Sequence, residues 1–235
     1  MNTKVDLEEW YSKEDPWKYV NTIPDKIRRA ILLEQIETVF SDGAKKFVLD
    51  AGCGEGYITK DVASKYNVEI DAFDISEKAL ATARKKNSHE NISYFQLDLN
   101  DYLPDKTYDL IMCEETLYYL NDNERISAAR KFQKAINPGG YLKVSSIMIG
   151  ENRYRKYFTL DSIKELLANT GFELVSIMPC VYKQRSFIGK ALYRLLEYMN
   201  KYKLIGPNLL ALLVRLTLSR SLDNCYSISL LAKKI

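Results

Sequence analysis

The sequence predicts a doubly wound α/β domain with a mainly parallel sheet, and three observations predict it. From residue 46 onward, short apolar segments of strand character alternate with helical stretches of ten or more residues, the pattern of repeated βαβ units. The first strand segment runs directly into the glycine-rich turn Gly52-Cys-Gly54-Glu-Gly56. The second ends on an acidic residue, Asp74. A glycine turn after one strand and an acid at the end of the next mark the ligand-binding edge of an open sheet.

Each element follows from its local pattern. The first 45 residues carry no strand signal. Tyr19 and Pro24 break this segment, and Ile27, Ala30, Ile31, Glu34, Ile36 and Val39 then give a helix with one apolar stripe, closed by Ser41-Asp42-Gly43. Lys46 to Asp50 is a buried strand, and Tyr57 to Tyr66 the helix opened by the glycine turn. Val68 to Phe73 is the second strand, and Ser76 is an N-cap for a helix reaching Lys86. Ile92 to Gln96 and Tyr108 to Cys113 are strands three and four. Asn121 to Ile136 is a helix closed by the loop Asn137-Pro-Gly-Gly140, and Tyr141 to Ile147 is the fifth strand. A helix begins at Thr159 and ends at Gly171, read as its C′ residue. Phe172 to Met178 and Tyr226 to Ala232 complete the set.

One stretch departs from the alternation. Residues 180–224 precede the last strand and contain two apolar helical runs, Ile188 to Tyr202 and Leu209 to Leu218. The second is shorter than the roughly 20 residues a membrane span requires and holds Arg215. Two readings remain: a helical pair packed on the sheet edge or on a dimer partner, or an amphipathic element resting on a membrane surface. The chain reads as a single domain, with an N-terminal helical segment (1–45), a core (46–179), the insertion (180–224) and a last strand (225–235).

Composition narrows the class. The chain is 46% apolar and 28% charged, which excludes both a disordered and a fibrous protein. A net charge of +3 does not call for nucleic acid. The charged N-terminus is not a secretory signal. Cys53, Cys113, Cys180 and Cys225 are too far apart for a zinc cluster or a disulfide framework, so no metal is expected and the compartment reads as a reducing cytoplasm.

The glycine turn lets the backbone approach a ligand closely, and Asp74 is placed to accept hydrogen bonds from a ribose diol. The third glycine of the dinucleotide fingerprint would fall at position 57, which is Tyr57. No phosphate-binding lysine follows the turn either. Glu55 inside it disfavours a pyrophosphate but suits a ligand with an amino group and a sulfonium. The ligand indicated is a charged amino-acid nucleoside.

At these residues the sequence resembles the class I S-adenosylmethionine-dependent methyltransferases. Val48 to Gly56 matches their first motif, Asp74 the ribose-binding acid, and Leu97-Asp98-Leu99 the stretch whose acid contacts the adenine amino group. Asp109 to Leu120 matches the fourth-strand motif lining the transfer cavity, and Asn137-Pro-Gly-Gly140 the loop before strand five. Asp15-Pro16-Trp17 and Glu115-Thr-Leu-Tyr-Tyr-Leu120 are similar to the nodulation protein S group of sugar N-methyltransferases, whose N-terminal segment forms part of a lid. The resemblance implies a Rossmann-like, seven-stranded sheet with an antiparallel last strand, and S-adenosylmethionine as methyl donor with S-adenosylhomocysteine as product. Asp50, Gly52, Cys53, Gly54, Gly56, Asp74, Ile75, Asp98, Leu99, Cys113, Glu114 and Trp17 would then contact the cofactor.

The acceptor is read from the residues around that site. Strand alternation keeps Glu114 and Glu115 from both facing the cavity if the strand continues through them, and the resemblance implies that Glu115 is the carboxylate that does. Tyr118 is assigned with Glu115 to catalysis, and Tyr11 and Tyr119 to the acceptor pocket. Trp10, Tyr11, Trp17 and Tyr19 are lid candidates. Arg153 and Arg155, with Lys183 and Arg185, would select an acceptor bearing phosphate or carboxylate, unless they form an ordinary solvated loop. His89, the sole histidine, sits in a polar loop away from the strand ends. The function expected is methyl transfer to nitrogen or oxygen of a small polar acceptor, anionic or a sugar or glycan precursor, by a monomer or homodimer. The alternatives are a membrane-surface enzyme acting on a lipid-linked acceptor and a non-catalytic cofactor-binding protein.

Overall fold

The computed structural model describes residues 3–13, 22–148, 157–182, 187–202 and 225–235, with isolated positions 16, 204, 206, 213 and 222. Among these, strands β1 Lys46–Ala51, β2 Val68–Asp74, β3 Ile92–Gln96, β4 Tyr108–Glu114, β5 Ile136–Ile147, β6 Phe172–Tyr182 and β7 Cys225–Lys234 form one sheet. Its order is β3-β2-β1-β4-β5-β7-β6. The pairs among β1 to β5 are parallel, and β7 runs antiparallel to both β5 and β6. The chain order reverses between β1 and β4, so the crevice beyond their carboxyl ends is the place for a ligand.

Helices α1 Thr3–Trp10, α2 Ile23–Ile36, α3 Tyr57–Lys65, α4 Glu77–Lys86, α5 Asp122–Ala135, α6 Leu160–Ala168 and α7 Phe187–Lys201 surround the sheet. Alternate strand residues face opposite ways and build two cores. Leu49, Phe73, Ile111 and Val144 pack with α5 and α6 through Phe132, Ile163 and Leu167. Val48, Ile70, Leu110 and Met112 pack with α2 and α3 through Leu32, Ile36 and Val62. A third cluster joins Ile27 and Ile31 of α2 to Cys180 of β6 and Leu196 of α7. This attaches the first helix of the insertion to the same sheet edge as α2. The opposite side of α7 exposes Leu195, Tyr198 and Tyr202.

Several boundaries differ from expectation for local reasons. Pro24 does not break the N-terminal segment; it occupies the first turn of α2, where its missing N–H costs no intrahelical bond. The Asn137–Gly140 loop is instead part of β5, which pairs from Ile136 with Tyr108 across an irregularity and shortens the preceding helix to Ala135. Gly171 is left-handed at φ +85, but lies two residues past the Asn169 C-cap of α6. Ser76 caps α4 as expected, its hydroxyl accepting from the Ala79 amide. No described helix is long and apolar enough to cross a membrane. Apart from Leu213, which packs against the third cluster, the run 209–218 lies outside the described residues.

Candidate active site

The cofactor-side geometry begins where β1 ends. Gly52 and Cys53 both donate their amides to the Phe73 carbonyl, at 2.8 and 2.9 Å, which ties the glycine turn to the end of β2. Gly52 holds φ +86 and Gly56 holds φ +75, a region costly for any side chain. Asp74 receives the Gly54 amide at 2.8 Å on one oxygen and the Ser76 amide at 2.9 Å on the other. The Ile75 amide also favours the carboxylate, and the roughly four acceptor positions of a carboxylate still leave room for a ligand hydroxyl. Burial raises the Asp74 carboxyl above its ordinary pKa, against these amides.

Asp50 accepts the Thr59 hydroxyl at 2.7 Å beneath the turn. Burial pushes its pKa up to about 7, opposed by that hydrogen bond and aided by the Glu114 and Asp74 charges. Cys53 and Cys113 are driven well above the normal thiol range, chiefly by burial. Neither is an available nucleophile, in keeping with small packing residues.

The turn opens onto a cavity of about 600 Å³. Its lining includes Ile75, Asp98 and Leu99, which follow β2 and β3 on one side of β1, and Glu114, Glu115, Tyr118 and Tyr119, at and after the end of β4 on the other. Helix α1 lies across it: Leu7 and Tyr11 face the cavity, while Glu8 accepts the Glu77 amide at 2.6 Å and so fastens α1 to the start of α4. A carboxylate at that position is favoured by the unsatisfied amides and positive dipole end of α4. Trp10 is not part of this wall; it is half exposed beneath Lys13.

Both glutamates line the cavity because the strand does not continue through them. β4 ends at Glu114, and Glu115 turns into the left-handed region at φ +53. Its amide donates to the Ser145 carbonyl and hydroxyl, at 3.2 and 3.1 Å, fixing the turn on β5. Glu114 is neutralised by Lys143, whose ammonium lies 3.0 Å away with no solvent exposure. Lys143 also donates to Ser229 at 2.5 Å, and Ser229 to Gln35 of α2 at 2.6 Å. This buried polar chain sets the position of α2 over the sheet.

Of the residues assigned from sequence, Asp50, Gly52, Cys53, Gly54, Asp74, Ile75, Asp98 and Leu99 line the cavity, as do Tyr11, Glu114, Glu115, Tyr118 and Tyr119. Two do not. Gly56 faces away from it, its missing side chain leaving room for Tyr94 and Ala83. Cys113 points into the apolar core on the other face of β4. Trp17, Tyr19, Arg153, Arg155, Lys183 and Arg185 lie outside the described residues. His89 accepts the Asn91 amide in its loop and does not reach the cavity. Sequence reading missed Asp25 and Arg28, which α2 contributes to the cavity. No local signal marks them: charged residues beside an apolar stripe read as the solvent face of a helix until the seating of α2 is known.

A family model described as a methyltransferase domain matches residues 48–140. A ubiquinone biosynthesis O-methyltransferase from Rickettsia canadensis is 26% identical over 196 residues, covering 74% of this chain and 81% of that protein. A malonyl-[acyl-carrier protein] O-methyltransferase from Bacillus cytotoxicus is 33% identical over 92 residues, 39% of this chain and 32% of that protein. The structure of the N-methyltransferase NodS from Bradyrhizobium japonicum, in complex with S-adenosylhomocysteine, superposes with TM-score 0.71 over 100% of this chain and 99% of that one, at 20% identity.

Proposed function

The chain is a class I S-adenosylmethionine-dependent methyltransferase, and from that premise we propose that it methylates nitrogen or oxygen of a small polar acceptor held between the end of β4 and α2. The observation that carries this reading is Glu115, a strained, buried carboxylate that lines the cavity just past the end of β4.

The residues fit the cofactor. The glycine turn leaves a cradle that side chains would fill; a β-carbon on Gly54 would sit 3.0 Å from the Tyr11 hydroxyl. Asp74 has acceptor capacity for the ribose hydroxyls, Asp98 stands beside Leu99 for the adenine amino group, and Asp50 lies under the turn for the ammonium. Bound S-adenosylmethionine supplies an electrophilic methyl group on a sulfonium. The protein holds the acceptor in line with it and excludes water, which alone removes much of the barrier. Leu7 on α1 and Tyr11 in the turn after it serve that exclusion as lid residues. The Tyr118 and Tyr119 rings lie 4.8 Å apart, tilted by 47°, and shape the acceptor side.

An anionic acceptor finds no support among the described residues. The cavity's described cations are Arg28, bonded to Asp25, and Arg29, bonded to Asp61. The organisation proposed is one domain, the 1–45 segment serving as lid and the 180–224 insertion bordering it, and the four free thiols suit a cytoplasmic location. A lipid-linked acceptor would be marked by co-flotation of the protein with liposomes.

Asp74→Ala tests the cofactor site. It removes the acceptor of two backbone amides and of the ribose diol, so S-adenosylhomocysteine affinity by calorimetry should fall roughly 100-fold. Affinity within threefold of wild type would contradict the ribose role.

Asp50 gives a signed pH dependence. A cationic ligand favours the carboxylate, so binding should release a proton near neutrality. With a free-state pKa of about 7, affinity should be about fivefold lower at pH 6 than at pH 7. Calorimetry in buffers of different ionisation enthalpy measures the proton, and Asp50→Asn should abolish the release. A wild-type affinity flat from pH 6 to 8 would reject the coupling.

A further inference from the structure

The inner end of the cavity is built by three elements around Glu115. Its side chain is 6% exposed. Oε1 accepts the Ser227 hydroxyl of β7 at 3.1 Å and lies 3.5 Å from the Arg28 guanidinium of α2. Arg28 makes its closer contact, 2.6 Å, with Asp25 on its own helix. Lys143 of β5 is engaged with Glu114. Oε2 of Glu115 has no hydrogen-bond partner among the described residues. A buried carboxylate left with an open oxygen, and sharing its one nearby guanidinium with Asp25, is costly, and the αL backbone at φ +53 adds strain to hold it there. The cost persists only if something met in the working cycle repays it.

A neutral acceptor leaves the charge unbalanced, and an anionic one adds repulsion. A cation satisfies both the charge and the open oxygen, and Tyr118 and Tyr119, aromatic rings of the kind that attract cations, line the same cavity. Resting on the methyltransferase reading, we propose that the acceptor carries a protonated amine, which binds Glu115 Oε2 and gives it a proton before transfer. The ammonium donates an N–H to Oε2, and Glu115 takes that proton, leaving nitrogen with its lone pair. The lone pair forms the N–C bond as the C–S bond breaks, and the C–S electron pair stays on sulfur. The product leaves as a methylated ammonium, and Glu115 returns its proton to solvent. Without the proton transfer two cations, ammonium and sulfonium, would face each other with no nucleophile between them.

The test is calorimetry of the enzyme saturated with S-adenosylhomocysteine, titrated with benzylamine, benzyl alcohol and benzoate at pH 7. Benzylamine should bind at least tenfold more tightly than the other two. Glu115→Gln should erase that preference while S-adenosylhomocysteine affinity stays within threefold, which also shows that the variant is folded. Equal affinities across the three probes, no binding of benzylamine, or a preference that survives Glu115→Gln would overturn the proposal, and the wild-type comparison decides it even if the variant does not fold. Failure of wild type to bind S-adenosylhomocysteine would instead overturn the reading on which it rests.

Discussion

Gly52→Ala is expected to weaken S-adenosylmethionine binding by more than 100-fold and to destabilise the protein by about 3 kcal/mol. Gly52 sits at φ +86, where a β-carbon alone costs about 1–2 kcal/mol. That carbon would overlap the Thr116 hydroxyl and lie 2.8 Å from its Cγ2 and 3.0 Å from its Cβ. Thr116 cannot simply rotate, because its hydroxyl donates to the Glu114 carbonyl at 2.9 Å. The turn must therefore move, and with it the amides that Gly52 and Cys53 donate to Phe73. Since the turn is also the floor of the cofactor cavity, the displacement is felt as lost affinity. Gly43→Ala is the control: φ is +67 there, but a β-carbon meets nothing within 4 Å, so it should cost about 1 kcal/mol and leave binding intact. Thermal unfolding and calorimetry of the pair separate backbone strain from the clash. Binding by Gly52→Ala within threefold of wild type would remove the argument.

The half of the cavity proposed for the cofactor was legible because its pattern is local in sequence. A strand, a glycine turn and an acid about twenty residues on are all fixed by short-range pattern, and each of Asp50, Gly52, Gly54 and Asp74 lines the cavity. Gly56 shows the limit of that logic: the same motif glycine serves packing against Tyr94 rather than ligand contact. The acceptor half depends on long-range placement. Asp25 and Arg28 reach the site only because α2 is seated on β6 and β7 through Gln35, Ser176 and Ser229. A helical stripe in the sequence does not say which sheet edge it will cover. Lys143 was equally hidden, since a lysine in a strand reads as solvent-facing until the carboxylate that neutralises it is known. Alternation predicted one inward glutamate after β4, and the left-handed turn at Glu115 gave two. No periodicity encodes a positive φ at a glutamate.

Glu115→Gly should separate stability from function in opposite directions. Removing the side chain at φ +53 relieves about 1 kcal/mol of backbone strain and eliminates a buried carboxylate with an open oxygen. Against this stand the added freedom of glycine in the unfolded chain, about 0.5–1 kcal/mol, and the loss of the acceptor for Ser227. The balance predicts unfolding free energy unchanged or raised by up to about 1 kcal/mol. Methyl transfer should nevertheless fall by roughly 100-fold or more in kcat, the usual loss when a proton acceptor is removed, with S-adenosylhomocysteine affinity preserved. Glu115→Gln keeps the strained backbone and leaves a buried polar group in place, so it should lose activity without the stability gained by relieving the strain. If Glu115→Gly were instead markedly destabilised, the carboxylate would be a structural tie between β4 and β7. A kcat close to wild type would leave the strained backbone without a functional cause. A protein that folds as well or better without its glutamate and works far worse would locate the purpose of the strain in the acceptor.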